Sequence, residues 1–157
     1  MLHEEAMAFL GATDHDAALL KLGEIAQALR APRRPISSWS ALCAYLRADM
    51  QNLSHERFRV LYLDNKNNLI ADEASDGDVS FCAVHPRQII KRALLLDAVS
   101  LIVVHNHPTG DATPSQPDIA VTKQIIEAAK VFKITLHDHV IVGTDVYSFR
   151  AHGLLSH

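Results

Sequence analysis

Hydrophobic and polar residues recur along this chain with two different periods, and each change of period predicts a new element of secondary structure. Apolar residues follow helical spacing in four segments that begin near a capping residue or a proline. These predicted helices span 14–30, 38–50, 86–98 and 119–131. Two-residue alternation or short continuous apolar runs predict strands at 56–64, 69–74, 79–84, 100–104 and 134–143. A short strand and a helical tail are predicted after Asp145.

Proline and polar runs organise these elements into a domain. Pro32 and Pro35 cannot continue a helix, because each lacks a backbone N–H and restricts the residue before it. We therefore expect a short helical N-terminal segment and linker over 1–35 and one domain over 36–157. The polar run DNKNN separates two strands and predicts a β-hairpin over 56–74. A hairpin followed by mixed helices and strands predicts a layered α/β fold, with a sheet flanked by helices.

The composition is that of a globular protein with a hydrophobic core. The 157 residues suffice for one ordinary domain and a short appendage, which excludes two full-sized domains. A hydrophobic fraction of 48% argues against a disordered chain. The apolar runs at 93–96 and 100–104 are far shorter than the roughly 20 residues that a membrane span requires. The first residues, MLHEEAMAFL, carry acids where a signal peptide carries positive charge, so a cytoplasmic protein without a membrane partner is expected.

Charge and cysteine content narrow the class of function. A net charge of −3 has the wrong sign for a general phosphate-binding surface, so it disfavours DNA or RNA as a partner. Cys43 and Cys82 are too few for a disulfide scaffold or a four-sulfur zinc site. Both lie among apolar neighbours, and we expect them to be buried free thiols.

The strongest candidate for chemistry is the run HNHPTGDATPSQPD, which joins the end of a buried strand to the start of a helix. The α/β folds keep their sites at such strand ends. As the strand gives way to a turn, the imidazoles of His105 and His107 can converge on one ion, with Asp118 as a third ligand. Three protein ligands leave the fourth tetrahedral position for water, which is the arrangement of a catalytic zinc site.

Each part of this run also has a purely structural interpretation. Ser115 and Asp118 fit a capping box at the helix start, and taken alone they favour that interpretation. A lone His-x-His is more often incidental than a ligand pair, but here a strand end, two histidines, a glycine turn and an acid coincide within fourteen residues. A second cluster, His137, Asp138 and His139, either orients ligands from behind or forms a hydrogen-bonded structural pair, and both interpretations stay open.

The same run resembles the JAMM metalloprotease motif, in the variant found in the RadC-like family of the JAB/MPN superfamily. Three flanking runs agree with that family: ERFRVLYLDNKNNLI, VHPRQIIKRAL and LHDHVIVGTDVYSFRAHGLL. The resemblance covers about residues 38–155. It implies a JAB/MPN domain, a mixed β-sheet flanked by helices with an architecture related to the cytidine deaminases, and one zinc ion per chain.

The resemblance also implies roles for five residues. His105, His107 and Asp118 match the zinc ligands of the family. Glu56 matches its general acid/base, and Ser115 matches the hydroxyl that supports the oxyanion. Glu56 suits that role, because zinc lowers the pKa of a water toward about 7 and a carboxylate can pass the proton to a leaving amine. The implied activity is hydrolysis of peptide or isopeptide bonds by a metal-activated water, with a peptide or protein as substrate.

Some positions depart from the family pattern. Thr109 and Gln88 stand where Ser and Glu are usual, and the loop 71–80 lacks a common Gly-Thr pair. The substrate-facing edge is therefore expected to differ from that of other members. Relatives carry a longer N-terminal region, of which 1–35 would be a remnant.

Other classes of function have less support. A DNA-repair-associated nucleic-acid-binding protein is suggested by the history of the family and by Arg30, Arg33 and Arg34, which a solvated linker explains more simply. A metal-binding JAB domain without peptidase activity is a further alternative. A deaminase requires a Pro-Cys-x-x-Cys element that this sequence lacks, and an HNH nuclease is suggested only by the letters at 105–107.

Overall fold

Residues 36, 38–76 and 85–155 are described by the structure, which is a computed structural model. Within these residues the chain forms three α-helices: α1 (Trp39–Met50), α2 (Pro86–Leu95) and α3 (Gln116–Val131). Five strands accompany them in the same ranges: β1 (Arg57–Leu63), β2 (Leu69–Asp76), β3 (Ser100–Asn106), β4 (Thr135–Val142) and β5 (Val146–Ser148). The predicted segment 1–35 with its helix, and the predicted strand at 79–84 with Cys82, lie outside the described residues.

The five described strands form one mixed sheet in the order β2-β1-β3-β4-β5. Strand β1 pairs antiparallel with both β2 and β3, so the predicted hairpin is confirmed. Strands β3 and β4 run parallel, and β5 returns antiparallel to β4. Strand β3 lies at the centre and is buried along its whole length, in agreement with its continuous apolar run. The mixed sheet flanked by helices, which the resemblance implies, is confirmed.

Apolar side chains cover both faces of the sheet. One face packs against α2 and α3 through a core cluster that includes Ile90, Ile125 and Val103. The other face packs against α1 through a second cluster that includes Leu46 and Val104. Val103 and Val104 are neighbours on β3, so alternate side chains of the central strand enter opposite layers. Burial on both faces explains why the central strand is apolar without interruption.

Strand β1 is buried on both faces although arginines interrupt its apolar residues. Arg59 is only 7% exposed. Its guanidinium donates to both carboxylate oxygens of Asp72, at 2.5 and 2.7 Å, and to Asp49 at 2.5 Å. The buried positive charge is therefore compensated by two carboxylates, the condition under which a charge is tolerated in a core.

Side-chain caps determine where two of the helices begin. The N–H of Ala41 donates to Ser38 Oγ at 3.1 Å, so Ser38, the first residue of the predicted helix 38–50, is the N-cap of α1. Ser115 caps α3, which therefore begins at Gln116, earlier than the predicted residue 119. A polar cap at 115 thus extends the helix beyond its apolar pattern.

Backbone geometry determines where α2 ends. The helix ends at Leu95 rather than at residue 98, because Asp97 adopts a left-handed φ of 53°. The N–H of Ala98 then donates to the carbonyl of Ala93 at 2.9 Å, which closes the helix end. No helix in the described ranges is long and apolar enough to cross a membrane.

The chain after β5 forms turns, and the predicted helical tail is wrong. The N–H of Gly153 donates to Arg150 O at 3.2 Å, and the N–H of Leu154 donates to Phe149 O at 2.9 Å. Gly153 has a left-handed φ of 70°, so it closes a single turn before a helix can propagate. Phe149 is fully buried and anchors this turn to the core.

Cys43 is a free thiol, as expected, but it is half-buried rather than buried. It lies on α1 between Leu42, which faces the core, and an exposed Ala44. Burial still raises the pKa of the thiol, and the nearby charge of Asp138 raises it further. The thiol is therefore predominantly protonated at neutral pH.

One edge of the sheet collects the ends of several elements. Strands β3 and β4 are parallel, so both end at this edge, whereas the antiparallel β1 begins there. Helix α3 follows β3 after a short loop and begins near the same edge. The topology thus brings together residue 56 before β1, residues 105–107 at the end of β3, and residues 115–118 at the start of α3.

Candidate metal centre

His105 and His107 lie where the central strand ends. His105 pairs with Phe58 of β1 and with Ile141 of β4, and its side chain is buried. His107 follows the strand, and its N–H donates to Val142 O at 2.9 Å, which prolongs the β3–β4 pairing by one residue. The His-x-His spacing places both imidazoles on the same side of the backbone.

The ligand atoms of His105, His107 and Asp118 converge on one point. His105 Nε2 lies 2.9 Å from His107 Nε2 and 3.1 Å from Asp118 Oδ1. His107 Nε2 lies 3.3 Å from Asp118 Oδ2. Bonds of about 2.0–2.1 Å to a tetrahedral zinc ion separate ligand atoms by about 3.3 Å, and each imidazole nitrogen lies close to this distance from the other and from one oxygen of Asp118. One ligand atom from each of the three residues lies within 4.8 Å of the other two. Within the described part of the chain, no second group of three such side chains converges.

The loop after β3 fixes the ring of His107. Its Nδ1 lies 2.7 Å from the carbonyl oxygen of Asp111, which can only accept, so Nδ1 carries the proton and Nε2 faces the cluster. The loop is held in turn by Thr144, whose N–H donates to Gly110 O at 2.7 Å. A Cβ at Gly143 would lie 2.3 Å from that oxygen, so only glycine permits this close approach.

Asp118 participates in the helix cap and in the cluster at the same time. Its Oδ2 accepts from the N–H of Ser115 at 2.7 Å, and its own N–H donates to Ser115 Oγ at 3.2 Å. This is the capping box that the sequence offered as one interpretation. Its Oδ1 nevertheless lies 3.1 Å from His105 Nε2, so the carboxylate also borders the cluster. The two interpretations of Asp118 are therefore compatible.

The electrostatics of the cluster are those of a site for positive charge. Burial alone would raise the pKa of Asp118, but its contacts with the imidazoles of His105 and His107 hold it well below its usual range. The hydrogen bond with Asp118 raises the pKa of His107, and the charge of Glu56 adds a smaller effect. Below that raised pKa a carboxylate and a protonated imidazole share the cluster, and a metal ion would replace the proton.

Zinc affinity is expected to fall as the pH is lowered through the raised pKa of His107. Below this pKa the ion must displace a proton, whereas above it the nitrogen is already deprotonated. Asp118 stays charged over the same range because its pKa is lowered. Competition with a chelator of known pH dependence should show about a tenfold loss of affinity per pH unit below the pKa of His107. An affinity that is constant from pH 8 to pH 5 would contradict a neutral His107 ligand.

Glu56 lies at the same edge, immediately before β1. The antiparallel register of β1 and β3 pairs Phe58 with His105. Continued by two residues, this register sets Glu56, which precedes Phe58, opposite His107, which follows His105. Its side chain is half-buried, and its charge contributes to the raised pKa of His107. It does not belong to the group of three converging ligands. The structure therefore places the predicted acid/base near the predicted ligands without making it one of them.

Asn106, the residue between the two histidines, holds the backbone on both sides of Glu56. Its amide donates from Nδ2 to His55 O at 2.9 Å, and its Oδ1 accepts from the N–H of Arg57 at 2.7 Å. Sequence reasoning missed this role. The available signal was a polar amide at the end of a buried strand, because a buried amide is stable only with partners.

In the cluster of His137, Asp138 and His139, the last two residues contact different partners. His139 is fully buried, and its Nε2 lies 2.9 Å from His105 Nδ1, directly behind the candidate ligand. Asp138 instead accepts from Ser148 Oγ at 2.5 Å and from the N–H of Arg150 at 3.0 Å. Of the two open interpretations, contact with a ligand describes His139 and a hydrogen-bonded structural role describes Asp138.

Replacing Asp118 with asparagine is expected to weaken zinc binding by more than about 100-fold, beyond the roughly 10–100-fold that loss of an outer partner usually costs. Asparagine keeps an acceptor for the N–H of Ser115 but lacks the charge of a ligand. The zinc-free variant should keep most of its thermal stability at pH 8, where the ion pair with His107 contributes least because its stabilisation is lost as the pH rises through the raised pKa.

Ser115→Ala is the matched control for this variant. It removes the other half of the capping box and should lower stability by about 1 kcal/mol, while zinc affinity falls far less than in Asp118→Asn because no ligand is lost. Both quantities are measured by thermal unfolding of the zinc-free proteins and by chelator competition. If the Asp118→Asn variant instead loses stability and keeps its zinc affinity, Asp118 serves only in the capping box and is not a ligand.

The mixed sheet, with two histidines at the end of its central strand and an aspartate at the start of the next helix, defines a JAB-type domain. The family model described as the RadC-like JAB domain matches residues 36–154. This chain therefore belongs to the RadC-like JAB-domain family, and the resemblance drawn from its sequence is confirmed.

Two relatives are similar to this chain over most of its length. A UPF0758 protein of Rhodobacter capsulatus is 54% identical over 129 residues, which cover 80% of this chain and 60% of the relative. A UPF0758 protein of Ruegeria pomeroyi is 53% identical over 125 residues, which cover 78% of this chain and 56% of the relative. The aligned part of this chain thus spans less than two thirds of each relative. The name UPF0758 protein states no activity.

Proposed function

We propose that this RadC-like JAB domain is a zinc-dependent hydrolase of peptide or isopeptide bonds. The observation that carries the proposal is the convergence of His105, His107 and Asp118. The two Nε2 atoms lie 2.9 Å apart, Asp118 Oδ1 lies 3.1 Å from that of His105, and Asp118 Oδ2 lies 3.3 Å from that of His107. Two imidazoles and one carboxylate, with a fourth position left open, are the donor set of a catalytic zinc site. Membership of the JAB superfamily, which includes metallohydrolases, supports the same class of activity.

The three side chains would hold zinc through Nε2 of each histidine and through the carboxylate of Asp118. When bound, the ion would polarise a substrate carbonyl and acidify the attacking water. His105 is buried, whereas the side chains of His107 and Asp118 each keep 15% of their surface exposed. The cluster is therefore open on one side, from which a carbonyl group can approach.

Glu56 and Ser115 supply the remaining groups in this proposal. Glu56 takes the proton from the attacking water and passes it to the leaving amine. Its backbone is held by Asn106, so its carboxylate starts from a fixed point. Ser115 Oγ accepts from the N–H of Asp118, which leaves its own proton to be donated to the developing oxyanion.

A peptide or protein amide is the proposed substrate. The predicted acid/base and the exposed Ser115 flank the cluster at one edge of the sheet, where an extended chain can reach both. The net charge of −3 provides no general attraction for the phosphates of a nucleic acid. Hydrolysis of an amide is therefore favoured over hydrolysis of a phosphodiester.

A cleavage screen tests this proposal. The zinc-loaded protein is incubated with a mixed library of peptides and isopeptide-linked peptides, and new termini are identified by mass spectrometry. We expect cleavage by the wild type and none by His107→Ala. His137→Ala, which removes a histidine near the beginning of β4, should cleave like the wild type. Stoichiometric zinc without cleavage of any member would contradict a hydrolase and leave a metal-binding domain.

A further inference from the structure

A chain of buried hydrogen bonds runs behind the candidate ligands. His105 Nδ1 lies 2.9 Å from His139 Nε2, and His139 Nδ1 lies 2.6 Å from Thr122 Oγ1. Thr122 Oγ1 donates to the backbone carbonyl of Asp118 at 2.5 Å. His139 is 0% exposed and Thr122 is 1% exposed, so solvent does not compete for these bonds. The chain joins one candidate ligand on β3 to the backbone of another at the start of α3.

The donor and acceptor of every hydrogen bond in this series follow from the last acceptor, the backbone carbonyl of Asp118. A carbonyl oxygen can only accept, so the hydroxyl of Thr122 uses its single proton on Asp118 O. Thr122 Oγ1 must then accept from His139, which places the proton of that imidazole on Nδ1. His139 packs between the rings of Phe58 and Phe149, an environment that favours the neutral imidazole.

A neutral His139 with its proton on Nδ1 presents a lone pair at Nε2. His105 Nδ1 must therefore donate to it. A neutral His105 that carries its proton on Nδ1 has its lone pair on Nε2, the atom that faces His107 and Asp118. The tautomer of His105 is thus determined from the carbonyl of Asp118, through two side chains that do not belong to the cluster.

We propose that Thr122 and His139 are positioning residues that fix the Nδ1–H tautomer of His105 and so prepare its Nε2 as a ligand before any metal binds. The value of this device for metal binding rests on the proposed function, but the tautomer itself is a property of the metal-free protein. His107 obtains the same tautomer from the carbonyl of Asp111. A backbone carbonyl therefore determines the tautomer of each imidazole. For His107 the contact with the carbonyl of Asp111 is direct, and for His105 the effect of the carbonyl of Asp118 passes through Thr122 and His139.

A structural explanation of the same residues makes different predictions. Thr122 could simply return its hydroxyl to the preceding turn of α3, and His139 could simply fill the core beside Phe149, with ring centroids 4.5 Å apart. In that case the shape of both side chains matters, and their hydrogen-bonding groups do not. Thr122→Val keeps the shape and removes the hydroxyl, whereas Thr122→Ser keeps the hydroxyl and removes a methyl group.

The test measures tautomers and zinc affinity in this pair of variants. Nitrogen-15 chemical shifts of the imidazoles, recorded on the zinc-free wild type, should show a protonated Nδ1 and an unprotonated Nε2 in His105, and a protonated Nδ1 in His139. Thr122→Ser should keep this pattern. Thr122→Val should lose it in part, because the direction of the bonds is no longer set. Zinc affinity, measured by chelator competition, should fall by about 10–100-fold in Thr122→Val and change little in Thr122→Ser.

Specific outcomes would overturn the inference. A His105 that carries its proton on Nε2 in the zinc-free wild type excludes the relay whether or not zinc binds. Equal zinc affinity in folded Thr122→Val and Thr122→Ser would mean that Thr122 and His139 contribute only to packing. If Thr122→Val does not fold, His139→Phe takes its place, because it keeps an aromatic ring and removes both nitrogens. A wild type that binds no zinc would refute the proposed function, while the tautomer measurement would still decide the relay.

Discussion

The purified protein is expected to hold close to one zinc ion per chain, and alanine at His105 or at His107 is expected to remove most of that zinc. Each substitution deletes one of three protein ligands, and the remaining imidazole and carboxylate do not make a stable site on their own. The prediction rests on distances of 2.9–3.3 Å between the ligand atoms. Elemental analysis of the purified variants measures the zinc content per chain.

A control separates loss of zinc from loss of fold. His137→Ala removes a histidine that lies outside the converging group and contacts Asn67, so its zinc content should match that of the wild type. Chelation of the wild type should leave the fold largely intact, because a core on both faces of the sheet does not depend on a metal. Full zinc occupancy in both ligand variants would refute the assignment of the site.

Glutamine at Glu56 is expected to lower the rate of hydrolysis by about 10²–10⁴-fold, the usual effect of losing an acid/base group. Glutamine keeps the size of the side chain but cannot accept the proton of the attacking water. Glu56 stands outside the group of three ligands, so the variant should keep its zinc and its fold. Turnover is measured on whichever substrate the cleavage screen identifies, and zinc content is measured on the same sample.

Glu127→Gln is the matched control for this variant. Glu127 is an exposed residue of α3 in the half of the helix remote from the cluster, so its loss changes the net charge equally without touching the site. Its turnover should equal that of the wild type. Near-normal turnover in Glu56→Gln, with zinc retained, would remove Glu56 from the mechanism and leave only the metal site.

The parts of the site that the sequence could predict are those encoded by neighbouring residues. The run from His105 to Asp118 contains a strand end, a turn and a helix cap in immediate succession, so its local geometry follows from short-range rules. The apolar run of β3 likewise predicted a strand buried on both faces. Glu56 is different, because only the resemblance connected it with residues about fifty positions away.

The parts that could not be predicted depend on the register between distant strands. Asn106 meets the backbone around Glu56 because β1 pairs with β3 in one particular register. His139 meets His105 because β4 pairs with β3 in parallel after the intervening helix. A shift of one residue in either pairing would turn these side chains to the opposite face, and nothing in the local sequence sets that register.

The ends of the helices also differ in whether neighbouring residues suffice to predict them. The N-cap at Ser38 was predictable because a serine before an apolar helix is a local signal. The end of α2 was not, because Asp97 adopts a left-handed conformation that favours glycine. That conformation is stabilised by the closing bond from Ala98 to Ala93 and by burial of Ala98 in the core.

The double use of the Asp118 carboxylate makes the first turn of α3 thermodynamically coupled to the occupancy of the cluster. A cation that binds Oδ1 holds the carboxylate in the position from which Oδ2 caps the helix, so binding must suppress fraying of that turn. Coupling of this kind is reciprocal, so a cation favours the capped turn by the same factor by which the capped turn favours the cation. Changes of sequence at residues 116 and 117, which are exposed and do not belong to the group of three ligands, are therefore a means by which relatives could adjust metal affinity without altering the ligands themselves.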